Sequence, residues 1–143
     1  MESDVYAELL SDALAVHFLK RYRAANQGVR QIASGLPLYK LKRVLSDIDE
    51  NLAQDLSLTR LAGVAQTSVA HFARLFKQAT GSTPHHYVLA CRIERAKRLL
   101  VESDVSLSEV AQRVGLADQS HLTALFRTHA ATTPKAYRVS AKQ

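Results

Sequence analysis

The chain of 143 residues is 47% hydrophobic, contains only five Gly and three Pro, and has a net charge of +6. This length suffices for one or two small cores, and the scarcity of Gly, Pro and alternating β-branched residues favours an all-α protein. The single cysteine, Cys91, excludes an internal disulfide bond, and there is neither an apolar stretch long enough to cross a membrane nor a signal peptide, so we expect a cytoplasmic protein.

The first predicted element is an amphipathic helix from Ser3 to Ala25. Its apolar residues form a broad stripe, at Val5, Leu9, Leu10, Ala13, Leu14, Val16, Phe18 and Leu19. Two interpretations stay open: the helix packs on its own domain, or it forms a homodimer contact or a docking surface for a neighbouring domain. Asn26–Leu36, which contains polar residues and two glycines, is predicted to be a linker.

Two helices are predicted next. One runs from Leu38 to Asn51, with Pro37 in its first turn, where a missing N–H costs nothing. The other is short, from Leu58 to Val64, with Ser57 as its N-cap. Both have apolar residues at helical spacing and are therefore expected to pack in a common core.

A third helix, Ser68–Lys77, follows a tight turn and continues to Thr80. Its apolar side consists of Phe72, Leu75, Phe76 and Ala79. Its opposite side combines small residues with two bases, at Ala70, Ala73, Arg74 and Lys77. A slim, basic helix after a short helix and a tight turn is typical of a helix-turn-helix, in which it would be the recognition helix.

This unit occurs twice in the chain. A long helix from Pro84 to about Val101, with Cys91 as a packed core thiol, is predicted between the copies. The offset between equivalent residues is 49 before the turn and 50 after it, which indicates one inserted residue in the second turn. Equivalent pairs include Leu58 and Leu107, Ala62 and Ala111, Phe76 and Phe126, Lys77 and Arg127, Pro84 and Pro134, and Tyr87 and Tyr137. The duplication predicts a second recognition helix from Gln119 to His129.

The start and the end of the second unit also have recognisable signals. Ser106 and Glu109 form a capping-box pattern before the short helix of this unit. A last short helix is predicted to begin at Pro134, and the polar tail after it is expected to fray.

The positive charge is concentrated in the duplicated part. Seven bases balance seven acids up to Glu50, whereas twelve bases accompany six acids from Asn51 onward. This favours a polyanion such as DNA as the partner. Basic surfaces also occur on proteins that never bind nucleic acid. A helical protein-interaction or dimerisation module and a non-specific architectural DNA-binding protein therefore remain alternatives.

Eleven residues on the two recognition helices are candidates for DNA contact. Arg74 is the candidate for base contact, because an arginine can bind O6 and N7 of guanine together. Lys77 and Arg127 are expected to contact phosphates. Since Ala124 stands where the first unit has Arg74, base contact in the second unit depends on other polar residues: Gln119, Ser120, His121 and Thr123. The remaining candidates are Ser68, Ala70, Ala73 and His71, the last of which we expect to cap the helix or to hydrogen-bond at the edge of the core.

The sequence contains no pattern that indicates catalysis. It has no paired cysteines, no histidines at i and i+4, no glycine-rich phosphate loop and no Gly-x-Ser-x-Gly motif. We therefore expect no enzymatic activity, no metal site and no cofactor.

Across Leu38–Ser140 the sequence resembles the DNA-binding module of the AraC/XylS family of bacterial transcription regulators. The residues that match are Ser57, Leu58, Leu61, Ala62, Ser68, His71, Phe72, Arg74, Phe76, Lys77, Gly81, Pro84, Tyr87, Arg92, Ile93, Ala96, Leu99, Leu100, Ala111, Gly115, Asp118, Ser120, Phe126, Thr133, Pro134, Tyr137 and Arg138. The resemblance implies two subdomains, at residues 37–83 and 103–143, joined by a helix at 84–102. It also implies promoter binding with one helix in each of two adjacent major grooves, and activation through RNA polymerase.

The sequence also departs from this family. Members commonly have an N-terminal effector-binding or dimerisation domain, and residues 1–36 are too short for one, so the Ser3–Ala25 helix looks like the tail of such a domain. Gln66 occupies a turn position where the family often has Gly, which predicts slight backbone strain in the first turn. Ala131 replaces the glycine that Gly81 supplies in the first unit. Leu122 replaces the usual Phe.

Overall fold

The computed structural model of the protein describes residues 35–142, so the helix predicted from Ser3 to Ala25 lies outside the described part, as does most of the predicted linker. Residues 35–142 form seven α-helices and no strand, which confirms the predicted all-α protein with two helix-turn-helix units. The helices are α1 (Leu38–Glu50), α2 (Leu58–Val64), α3 (Val69–Thr80), α4 (Pro84–Glu102), α5 (Leu107–Arg113), α6 (Gln119–Ala130) and α7 (Pro134–Ala141).

Side-chain caps determine where most of these helices begin. In six helices the side chain before the first helical residue accepts a hydrogen bond from the backbone N–H three residues later, which satisfies one of the free donors of the first turn. These capping residues are Ser57, Ser68, Thr83, Ser106, Asp118 and Thr133. At α1, Pro37 lies at the N-cap itself rather than inside the first turn as predicted, and its side chain makes no capping bond.

Two local predictions need correction. The capping box at α5 is only half formed: Ser106 accepts from the Glu109 N–H, but the Glu109 carboxylate binds Arg113 at 2.8 Å instead of turning back to the cap. Cys91, predicted to be a core thiol, is only half-buried. The last helix begins at Pro134 as predicted and extends to Ala141.

The described residues form two compact units. The first contains α1, α2, α3 and the start of α4 up to Val88. Its core includes Phe72 and Phe76, both fully buried, with ring centroids 5.5 Å apart, and Tyr87 packs edge-on against Phe76. A partly buried ion pair between Asp47 and Arg60, with an N–O distance of 3.1 Å, connects α1 to α2.

The second unit contains the remainder of α4 together with α5, α6 and α7. The buried residues of its core are Ile93, Ala96, Leu100, Val110, Ala111, Val114, Leu116, Leu122 and Phe126. The ring of Tyr137 packs edge-on against Phe126 at 5.4 Å, as Tyr87 does against Phe76 in the first unit. The duplicated sequence therefore produces a duplicated core.

A short segment, Leu52–Asp55, also belongs to the second unit although it connects α1 to α2 in the sequence. Arg92 of α4 donates hydrogen bonds to the backbone oxygens of Leu52 at 3.1 Å and Gln54 at 2.9 Å. Burial lowers the pKa of the Arg92 guanidinium, and the nearby Asp55 carboxylate opposes that shift. The segment also passes so close to Gly115 that a Cβ there would lie 2.3 Å from the Leu52 oxygen.

The two helix-turn-helix turns show where the extra residue is inserted. In the first turn the Thr67 N–H donates to the Ala62 oxygen, and in the second the Leu116 N–H donates to the Ala111 oxygen. The offset is thus still 49 at this point and becomes 50 at the N-caps of α3 and α6. The insertion is therefore Ala117, immediately before the second recognition helix.

The left-handed conformation that causes the strain predicted at Gln66 is present in the structure, and Ala131 adopts it as well. Gln66 and Ala131 both have positive φ angles, of 57° and 58°. Their counterparts in the other unit are Gly115 and Gly81, with φ of 84° and 83°. Each unit therefore contains one left-handed residue with a side chain, which costs on the order of 1 kcal/mol relative to glycine.

Candidate nucleic-acid interface

The first recognition helix, α3, begins at a defined point because the Ser68 hydroxyl accepts a hydrogen bond from the His71 N–H at 3.3 Å. Its apolar side is buried, which fixes the direction of the opposite side. On that side Ala70, Arg74 and Lys77 are exposed and Ala73 is half-buried.

One exposed residue of this helix was not predicted. Val69, the first residue of α3, is 38% exposed although it is apolar. The sequence does not reveal it, because apolar periodicity identifies the buried side of the helix, and a valine at the edge of that side belongs clearly to neither the buried nor the exposed set. Its exposure adds an apolar side chain to the candidate surface.

The second recognition helix, α6, begins at Asp118, whose carboxylate accepts a hydrogen bond from the His121 N–H at 2.8 Å. Four predicted contact residues of this helix are exposed and Thr123 is half-buried. The exposed four are Gln119, Ser120, His121 and Arg127. Ala124 occupies the position equivalent to Arg74 and is exposed. This position of α6 is therefore accessible but has no arginine.

The two histidines that follow the N-caps have different environments. The His121 Nδ1 accepts a long hydrogen bond, 3.4 Å, from the N–H of Ala117, the inserted residue. The Nε2 of His71 is buried and has no hydrogen-bond partner among the described residues, so the predicted hydrogen bond at the core edge is not formed. Only His121 therefore helps to order the chain before its helix.

Several bases of the described residues form ion pairs, whereas the three bases among the candidate contact residues do not. Ion pairs are formed by Arg60 with Asp47, Lys97 with Glu94, Arg113 with Glu109 and Lys142 with Asp104. Arg74, Lys77 and Arg127 have no acidic partner within residues 35–142. Their charge is left available to an anion, and a phosphate backbone neutralises such charges with release of counterions.

Two other kinds of site were searched for in the described part of the chain. No group of three or more His, Cys, Asp or Glu side chains there is arranged to hold a metal ion. None of its helices is long and apolar enough to cross a membrane. The recognition helices thus remain the surface with the clearest chemical character.

Several known proteins are similar to this chain in sequence and in fold. Residues 61–140 match a family described as a helix-turn-helix domain. The probable transcriptional regulator LumQ of Photobacterium leiognathi is 38% identical over 101 residues, which are 69% of this chain and 41% of LumQ. The HTH-type transcriptional activator RhaS of Enterobacter sp. (strain 638) is 30% identical over 99 residues, 69% of this chain and 36% of RhaS. The chain thus spans about two fifths of the length of these relatives.

A solved structure extends the likeness to the fold. The crystal structure of the DNA-binding domain of AdpA, a global transcriptional factor, in complex with a target DNA superimposes with a TM-score of 0.68 and 35% identity. The superposition covers 71% of this chain and 91% of that domain.

Proposed function

Because the chain belongs to the AraC/XylS family of helix-turn-helix transcription regulators, we propose that it binds double-stranded promoter DNA sequence-specifically through both α3 and α6. The observation on which this proposal rests is that both recognition helices are capped, packed on one side and exposed on the other, with unpaired bases at Arg74, Lys77 and Arg127. The DNA complex of the related AdpA domain supports the same mode of binding.

The proposal includes the placement of α3 and α6 in two adjacent major-groove segments on one side of the duplex. What supports it is the length of α4, a continuous helix of 19 residues. At 1.5 Å per residue it is about 28 Å long. Successive major-groove segments on one side of B-DNA lie about 34 Å apart, so a connector of this order suits the spacing.

Each candidate residue has a distinct role in this proposal. Arg74 binds a guanine through O6 and N7, because its guanidinium is exposed and unpaired. Lys77 and Arg127 bind phosphates and so position the helices without selecting a sequence. The polar residues of α6 contact base edges, but without an arginine equivalent to Arg74, so the second half of the binding site is less strictly selected. Those residues are Gln119, Ser120, His121 and Thr123.

We also propose that the protein activates transcription through RNA polymerase in the bacterial cytoplasm, associated with the nucleoid. The related RhaS is described as a transcriptional activator, which supports activation over repression. A homodimer through the Ser3–Ala25 helix would place two such modules on one promoter.

A binding competition tests the proposed function. A site is selected from a random duplex pool, and its dissociation constant is compared with that of a scrambled duplex over a range of salt concentrations. A specific regulator should prefer its site by about 10³-fold or more at moderate salt. Equal affinities would indicate a non-specific architectural binder, and no binding at low salt would indicate a protein-interaction module.

A further inference from the structure

Equivalent positions of α3 and α6 differ in chemistry in a systematic way. At 100° per residue, an arc of about 140° that begins at the first residue of each helix contains five outward positions. In α3 they are occupied by Val69, Ala70, Ala73, Arg74 and Lys77. In α6 the same five positions are occupied by Gln119, Ser120, Thr123, Ala124 and Arg127. Three of these positions are apolar in α3 and polar in α6. A fourth is an arginine in α3 and an alanine in α6.

We infer that Val69, with Ala70 and Ala73, binds the C5-methyl groups of thymines in the half of the DNA site that α3 occupies. This inference rests on the proposed function and identifies part of the sequence that α3 selects. In the major groove, thymine is distinguished by its methyl group, which apolar side chains recognise by contact. The N-terminal residues of a recognition helix are the ones that approach the base edges, and Val69 is the first residue of α3.

The physical basis is the burial of apolar surface. Val69 is 38% exposed, so part of its apolar surface is in contact with water in the unbound protein. Contact with a thymine methyl removes apolar surface of both partners from water, and one methyl group in such a contact is worth about a three- to fivefold change in affinity. Ala70 and Ala73, further around the same side of the helix, add apolar surface without obstructing the approach. Arg74 adds selection for a guanine through hydrogen bonds, which apolar side chains cannot provide.

The corresponding side of α6 selects by hydrogen bonds instead. Gln119 and Ser120 are exposed and present donors and acceptors to base edges. The half-site of α6 therefore depends on polar groups of the bases and not on thymine methyls.

A uracil scan tests this inference. Each thymine of the selected duplex is replaced in turn by deoxyuridine, which removes only the methyl group, and the dissociation constant is measured by fluorescence anisotropy at constant salt. Wild-type protein should lose about three- to fivefold in affinity at one or more thymines in one half-site and should be insensitive in the other. In Val69→Ser, which removes both γ-methyl groups of the side chain, at least one of those sensitive positions should become insensitive.

The control is Val139→Ser, the same substitution at a valine of α7 that is 53% exposed. It should reproduce the wild-type profile. The inference is overturned if no thymine of the preferred site is sensitive, if both half-sites are equally sensitive, or if Val69→Ser retains the wild-type profile. A pool that yields no preferred site overturns the proposed function, whereas a preferred site without methyl sensitivity overturns this inference alone.

Discussion

The turns of the two helix-turn-helix units have the same backbone conformation but opposite tolerance for a side chain. Gln66 in the first turn and Gly115 in the second both have positive φ. The Gln66 side chain is exposed, whereas at Gly115 a Cβ would collide with the backbone of the Leu52–Asp55 segment. The left-handed conformation alone thus costs a modest strain, and glycine becomes necessary only where another stretch of backbone passes close by.

At the ends of the recognition helices the glycine is in the first unit and the residue with a side chain is in the second. α3 ends at Gly81 and α6 ends at Ala131, both left-handed. The second unit therefore accommodates a Cβ at this position. The two units differ in residues that the common backbone does not dictate, and these include the arginine present in α3 and absent from α6.

The largest expected effect comes from Gly115→Ala. The new Cβ would lie 2.3 Å from the Leu52 oxygen, and the alanine would have a strained, positive φ. We therefore expect a loss of about 3 kcal/mol or more in the free energy of unfolding. Gln66→Ala at the equivalent position should stay within about 0.5 kcal/mol. Urea denaturation of both variants measures this difference, and similar costs for the two would contradict the contrast between the turns.

The next effect concerns the arginine that distinguishes the recognition helices. Arg74→Ala should weaken binding to the preferred site by about 1–3 kcal/mol and relax selectivity at one base position, because a bidentate contact with guanine is lost. Ala124→Arg should add selectivity in the other half-site. Competition with single-base variants of the site measures both. Unchanged selectivity in Arg74→Ala would show that Arg74 contacts only phosphate.

Arg92→Ala tests the attachment of the Leu52–Asp55 segment. The substitution removes two hydrogen bonds from a charged donor to backbone oxygens, and we expect a loss of about 1–2 kcal/mol in stability because the site is partly solvated. Arg98→Ala, on the same helix and without a hydrogen bond or ion pair within the described residues, is the control and should cost less than about 0.5 kcal/mol. Equal effects would mean that Arg92 acts only through its apolar stem.

The helix ends provide a pair of substitutions with opposite signs. Gly81→Ala should destabilise the protein by about 1 kcal/mol, since alanine disfavours a φ of 83°. Ala131→Gly should stabilise it by up to about 0.5 kcal/mol, because relief of strain is partly offset by the greater entropy of the unfolded chain. Thermal unfolding of both variants checks the signs. A destabilising Ala131→Gly would show that strain is not the dominant factor there.

The smallest effect concerns the exposed pair of Asp104 and Lys142. A hydrogen bond from Lys142, and then its charge, lower the pKa of the Asp104 carboxyl below its usual range. The pair therefore contributes to stability above the pKa of the unfolded chain, and the contribution is lost as the pH falls through the folded pKa. In Lys142→Ala an NMR titration should show the Asp104 midpoint shifted upward. An unchanged midpoint would mean that the pair does not form in solution.

Features determined by local sequence could be predicted well. The N-cap at Ser57 and the end of α3 before Gly81 depend on residues within a few positions of each other, so the bounds of α2 and the end of α3 follow from the sequence. The strain at Gln66 could also be predicted, because the family that the sequence resembles often has glycine at that place.

Features that depend on distant packing could not be predicted. Leu52 is buried, but the periodicity of the sequence does not indicate which core receives it, and Leu52–Asp55 joins the second unit. Leu36, assigned to a linker by the composition around it, is buried as well. At the candidate interface the basic residues were evident, whereas the exposure of Val69 depends on how α3 packs against its neighbours.

Hydroxyl-radical footprinting on the selected site tests the central claim most directly, because it shows which sugars the bound protein covers. If one module places α3 and α6 in adjacent major-groove segments, protection should appear in two patches on one side of the duplex, about 10 bp apart. Protection confined to a single half-turn, or two patches on opposite sides of the duplex, would contradict the account.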